Sequence, residues 1–294
     1  MNREELLLST QAISLSAIRS YAITHGWKSV YGSKRRTSLF SHPDHGLRQL
    51  QIPLEYDDDT PSAILEVALR IAEVEERSLS SVIEDLQATE SDILRLRAAP
   101  EELGGTSIAL HRALELLDGA RQLLSAAACT VVNPVLHHTS TDSEEARRLL
   151  SQTVLGQSEL GSSTIKLLCP LDAVSTHSDV EPFVRSATTR VMDATSSLIR
   201  AIEQHAVDEL LEKRCSGAEP PLISSNLCKG LLDLIGSQEQ GQVILSMTWG
   251  SHAHIPVPTA PSTVRLPVEY YPEIERVYRQ LRPSDEGNTP LSIS

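Results

Sequence analysis

Aromatic side chains are scarce in this chain: two tryptophans, six tyrosines and two phenylalanines make up 3% of its 294 residues. With 40% hydrophobic residues overall, the core must therefore be built from Leu, Ile, Val and Ala, anchored by Trp27, Trp249, Phe40 and Phe183. Cysteine is also sparse. Cys129, Cys169, Cys215 and Cys228 are widely spaced and form no Cys-x-x-Cys pair, which argues for reduced, buried thiols rather than a disulfide scaffold. No run of about 18 apolar residues occurs, so an ordinary membrane-spanning helix is not expected. The opening Met1-Asn2-Arg3-Glu4-Glu5 has no signal-peptide core, and a cytoplasmic location is the expectation.

Positive charge is in deficit as well. The formal net charge of −13 excludes broad electrostatic binding to nucleic acid, because phosphate contacts need clustered Lys and Arg. A local exception lies between Gly26 and Leu50. There Lys28, Lys34, Arg35, Arg36 and Arg48 face only Asp44, a local net charge of +4. These five cations are the candidate surface for nucleic acid or a protein partner. Phosphate loops, Gly-x-Ser-x-Gly elbows and dinucleotide fingerprints are missing, and no cofactor is expected.

The hydrophobic spacing predicts an α+β fold in two parts. Ile13, Ala17, Ile18, Tyr21 and Ala22 recur at helical spacing over 12–25, and Gly26 stops the helix. Strands follow at 27–31, 37–41 and 47–54, separated by turns at 32–36 and 42–46. A helix then starts at Thr60-Pro61, with Thr60 as N-cap and Asp57, Asp58 and Asp59 complementing the positive helix end. A short helix over 79–87 and a strand over 93–97 complete or leave this α-β-β-β-α module, which is placed at 1–99.

A linker over 98–105, with Pro100 and Gly104-Gly105, leads to a larger mixed α+β part at 106–282. It is predicted to hold a helix over 107–131 with Leu110, Leu114, Leu117, Leu124 and Cys129 on its buried stripe. A capping box at Thr141 and Glu144 precedes a helix to Leu155, and strands are expected at 163–168 and 242–249. A single helix is expected over 180–213, with further helices over 225–235 and 272–281 and a flexible tail at 283–294.

The segment GWKSVYGSKRRTSLFSHPDHGLRQLQIPL resembles HicA-type mRNA interferases and, in its element order, double-stranded-RNA-binding domains. The resemblance rests on Gly26, Trp27, Phe40, His42, Pro43, Asp44 and Gly46 and covers about 65 residues. It implies an α-β-β-β-α fold and contact with RNA, and it suggests a toxin–antitoxin or phage-defence setting. HicA-type enzymes carry a catalytic histidine in a Gly-Ser-His at the start of the second strand. The matching position here is Thr37, and a hydroxyl cannot serve as general acid or base near neutral pH. The expectation is therefore a non-catalytic binding or adaptor protein.

Two other patterns bear on chemistry. Arg200 and His205 have the Arg-x4-His spacing of HEPN ribonucleases, in which the pair lies on one helix. They are the candidate catalytic residues of a ribonuclease alternative. Five residues span about 1.4 helical turns, so their side chains diverge. His137, His138, His252 and His254 could gather around a metal only if two separate loops met, and no metal site is expected. The remaining segments, such as LHRALELLDGARQLLSAAACTVVNP, resemble those of a group of uncharacterised bacterial proteins. Some of that group extend further, and the sequence leaves open whether this chain lacks a C-terminal module that they carry.

Overall fold

The computed structural model describes residues 7, 10, 13–30, 37–45, 48–99, 108–156, 164–174, 181–215, 220–250 and 255–283. The chain divides into two compact units, Met1–Asp92 with Trp249–Val257, and Ile93–Thr248 with Pro258–Ser294. The fold class is α+β, as the hydrophobic spacing implies.

In the first unit the order is α1 (Leu15–Thr24), β1 (Lys28–Val30), β2 (Thr37–Ser41), β3 (Gln49–Pro53), α2 (Thr60–Val74) and α3 (Leu79–Ala88). Ser14 starts α1, its Oγ accepting the Ala17 N–H at 2.9 Å. Gly26, at φ +84°, ends it: Gly26 N–H reaches Ile23 O and Trp27 N–H reaches Ala22 O. That left-handed turn suits glycine and swings the chain directly into β1. The three strands form an antiparallel sheet in the order β1-β2-β3.

Phe40, Leu50 and Ile52 project from one face of this sheet into a core shared with Ile13, Ile18, Tyr21 and Trp27 and with Ile64, Ala68 and Ile71 of α2. Each large side chain buried there contributes roughly 1.5–3 kcal/mol. The start of α2 differs in detail from expectation. Asp59 occupies the N-cap without a side-chain bond, and Thr60 is already helical. Its hydroxyl instead donates to Asp57 Oδ1 and accepts the Asp57 N–H, closing the turn.

The second unit contains β4 (Ser91–Ala99), whose first two residues belong to the first unit, then α4 (Leu110–Val132), α5 (Glu144–Gln152), β5 (Val154–Leu155) and β6 (Ile165–Pro170). After these come α6 (Phe183–Glu203), α7 (Val207–Cys215), α8 (Ser225–Ile235), β7 (Gln242–Thr248), β8 (Thr263–Pro267) and α9 (Tyr271–Leu281). Its five strands run in the order β5-β6-β4-β7-β8. The expected strand at 93–97 thus leaves the N-terminal module and pairs antiparallel with β7.

Three further expectations need correction. The single helix over 180–213 is two helices, because His205 adopts φ +53° and the chain turns there. Its N–H reaches Ile202 O, and Ala206 N–H reaches Ala201 O. The cap of α5 is Ser143, whose Oγ accepts the Ala146 N–H at 3.1 Å, rather than Thr141.

The third correction concerns the stripe of α4. Leu110 and Leu114 are 77% and 54% exposed, while Leu116, Ala120, Leu123, Leu124 and Ala127 are buried. The small residues explain this. A Cβ on Gly119 would lie 2.7 Å from Leu234 N, and one on Gly230 would lie 2.9 Å from Leu123 N. Glycine at both places lets α4 and α8 approach closely, and the buried stripe keeps the expected Leu124 and Cys129 but runs through Leu116, Ala120 and Leu123 instead of Leu110 and Leu114.

Candidate functional site

The pleat of the N-terminal sheet separates its residues into two sets. Phe40, Leu50 and Ile52 face the core. Lys28 pairs with Ser41 and Ser41 with Gln49, while Val30 pairs with Leu39 and Leu39 with Gln51. These six side chains form the other face, on which Lys28, Val30, Gln49 and Gln51 are exposed and Leu39 and Ser41 are half-buried. Beside them β1 is exposed over its whole length and forms one edge of the sheet. The result is a small apolar centre, Val30 and Leu39, ringed by amides, a hydroxyl and one ammonium group.

The five cations meet different fates. Lys28 is exposed on that open face. Arg48 is instead drawn toward α2, where it forms an ion pair with Glu73 at 2.8 Å. Lys34, Arg35 and Arg36 lie outside the described residues. Close to the start of α2, Asp57, Asp58 and Asp59 are all exposed, which lowers the potential for a phosphate at that helix end.

At the end of the sheet where β1 begins and β2 finishes, imidazoles gather around Trp27. The His42 ring meets the Trp27 ring edge-on at 5.3 Å and stands 5.4 Å from that of His45. His42 Nδ1 accepts the Asp44 N–H at 3.3 Å. His25 is pinned elsewhere, stacked on Tyr21 at 3.8 Å with its Nδ1 donating to Tyr21 O. Thr37 lies at the opposite end of β2. At about 3.3 Å per residue, His42 is roughly 16 Å along the strand from it. No group of His, Cys, Asp and Glu suited to a metal ion occurs among the described residues.

In the second unit, Arg200 is exposed in the last turn of α6, whereas His205 follows the helix end in the left-handed turn. The two do not share one helix, so the arrangement behind the Arg-x4-His comparison is not formed. His137 and His138 serve as a clip. His137 Nδ1 bonds Ser225 Oγ at 2.7 Å, and His138 Nε2 bonds Thr130 Oγ1 at 3.1 Å. Asn226 bonds the backbone of His138 in both directions. Burial, reinforced by neighbouring His137, pushes the His138 pKa down. His252 and His254 lie outside the described residues. Cys129, Cys169 and Cys228 are buried outside any disulfide, and burial pushes Cys228 up to about 12, away from reactive thiolate.

No family model, curated protein or solved structure matches the chain.

Two features escaped the sequence. Arg112 is fully buried and donates to Leu234 O, Ile235 O, Gln238 Oε1 and Glu115 Oε2, so it caps the carboxyl end of α8 from inside the protein. Burial alone would raise the Glu115 carboxyl, but hydrogen bonds from Arg112 and Ser237 hold it below the usual range. An arginine among leucines gives no sign of this in sequence. Strand β8 was also missed, although Val264 and Leu266 alternate with exposed Thr263 and Arg265.

Proposed function

We propose that this protein is a non-catalytic adaptor that engages a protein partner through the open face of its N-terminal sheet. The observation that carries the reading is the division of that sheet into a buried apolar face and an exposed face centred on Val30 and Leu39. An apolar centre with a polar rim is the composition of a protein contact, and an exposed edge strand such as β1 adds backbone donors and acceptors. The resemblance to HicA-type proteins supports the same conclusion by its departure at Thr37, where a hydroxyl takes the place of the catalytic imidazole.

Charge ranks the partners. Arg48 is committed to Glu73, and three exposed aspartates stand before α2. A nucleic-acid surface needs cations free to neutralise phosphates, so protein is favoured over RNA. The RNA reading rests on Lys28 together with Lys34, Arg35 and Arg36.

The test compares tagged full-length protein with Val30→Asp and with Lys34→Glu/Arg35→Glu/Arg36→Glu, purified from cells that carry the gene. A stoichiometric protein partner lost with Val30→Asp and kept with the triple variant is the expected result. Recovery of RNA in its place, abolished by the triple variant, overturns the proposal.

A further inference from the structure

The second unit carries a groove of about 470 Å³ between the last turns of α6 and the edge strand β8. Ser196, Arg200 and Glu203 line it from the helix, and Thr263, Val264 and Arg265 from the strand. In a chain of formal charge −13, two arginines here oppose a single glutamate. Neither Arg200 nor Arg265 forms an ion pair with a carboxylate among the described residues. Arg200 acts electrostatically on Asp193, whose pKa burial raises even though Arg190 and Arg200 pull it down.

The strand supplies a second recognition element. Met247 N–H donates to Ser262 O at 2.8 Å and Val268 N–H to Gly241 O at 2.9 Å, which fixes the phase of the β7–β8 ladder. Bonded and non-bonded pairs alternate in an antiparallel ladder. Val264 and Leu266 therefore turn their backbone groups toward β7, and Thr263 and Arg265 turn theirs outward. At the end of the sheet order, β8 pairs with no further strand among the described residues. Pro267 offers no outward N–H, so the free edge is short and has a defined end.

We infer that this groove docks an extended acidic peptide segment of a partner protein, which adds to the outer edge of β8 and places carboxylates against Arg200 and Arg265. Outward N–H and C=O groups spaced two residues apart match a peptide backbone rather than a nucleic-acid backbone. The two arginines select acidic side chains and outweigh the single carboxylate of Glu203, which repels an acidic residue placed beside it. The inference goes beyond the N-terminal face and does not depend on it, since every residue involved belongs to the second unit.

Fluorescence polarisation of the full chain with a short labelled peptide alternating glutamate with valine, and with its lysine–valine counterpart, tests this. Thr263→Pro removes an outward N–H while sparing the ladder to β7, and Arg200→Gln/Arg265→Gln removes the charge. The acidic peptide should bind in preference to the basic one and weaken about tenfold or more with each variant, with melting temperatures unchanged. Binding that ignores peptide charge, no binding of the acidic peptide, or affinity untouched by both variants overturns the inference. Should Thr263→Pro unfold the protein, the double glutamine variant decides alone. Because Val30→Asp leaves this groove intact, failure here is distinct from failure at the N-terminal sheet.

Discussion

Arg48 reaches back from the start of β3 to Glu73 of α2, an ion pair of 2.8 Å that removes one cation from the surface the sequence assigned to binding. Both side chains are more than a third exposed. Such pairs contribute about 0.2–1 kcal/mol. Arg48→Ala should therefore lower unfolding free energy only within that range and leave partner binding unchanged, as read by urea unfolding and affinity purification. A large loss of binding would place Arg48 in the interface after all.

Arg112 should be far more sensitive. Its guanidinium holds two carbonyls at the end of α8 and the Glu115 carboxylate inside the protein. Arg112→Ala leaves those acceptors without donors and should cost about 3–5 kcal/mol by urea unfolding. A loss below about 1 kcal/mol would mean that water or a rearranged Gln238 replaces it.

Close approach of α4 and α8 makes a steric prediction. An alanine Cβ at Gly119 or Gly230 meets backbone atoms of the opposite helix, at Leu234 and Leu123, at under 3.0 Å. Backbone cannot step aside as a side-chain tip can, so each substitution should destabilise by about 1–3 kcal/mol despite the better helix propensity of alanine. Thermal melts of Gly119→Ala and Gly230→Ala check this, and a stabilised variant would contradict the packing.

His138 sets a pH dependence. Its folded pKa lies below the ordinary value of 6.5, so the unfolded chain takes up the proton more readily. Its contribution is complete above pH 6.5 and is lost as pH falls through the folded value. Comparing the protein with His138→Gln by denaturant unfolding at a series of pH values isolates this site from other titrating groups. The gap between the two should narrow below pH 6.5, and a constant gap would show that the imidazole titrates alike in both states.

The α-β-β-β-α order was legible because the helical spacing from Ile13 to Ala22, the stop at Gly26 and the alternation through Leu50 and Ile52 are local signals, each with its own physical cause. What stayed hidden depended on tertiary contact. A left-handed turn at His205 looks like continuing helix in a sequence where glycine is the usual marker. On α4 the burial of Leu124 and Cys129 was legible, but the outward turn of Leu110 and Leu114 depends on the close packing that Gly119 and Gly230 permit. Strand β8 has only Val264 and Leu266 facing inward, too short a pattern to register beside the prolines that flank it. For the candidate site, sequence showed how many cations surround the hairpin but not that Arg48 turns toward Glu73, which only the packing of α2 against β3 decides.

Hydrogen–deuterium exchange of the full chain with and without its co-purified partner tests the central claim most directly. Slowed exchange is expected over residues 28–30 and 49–51, together with intact RNA after prolonged incubation with the protein. Unchanged exchange in both strands, or cleavage of that RNA, would contradict it.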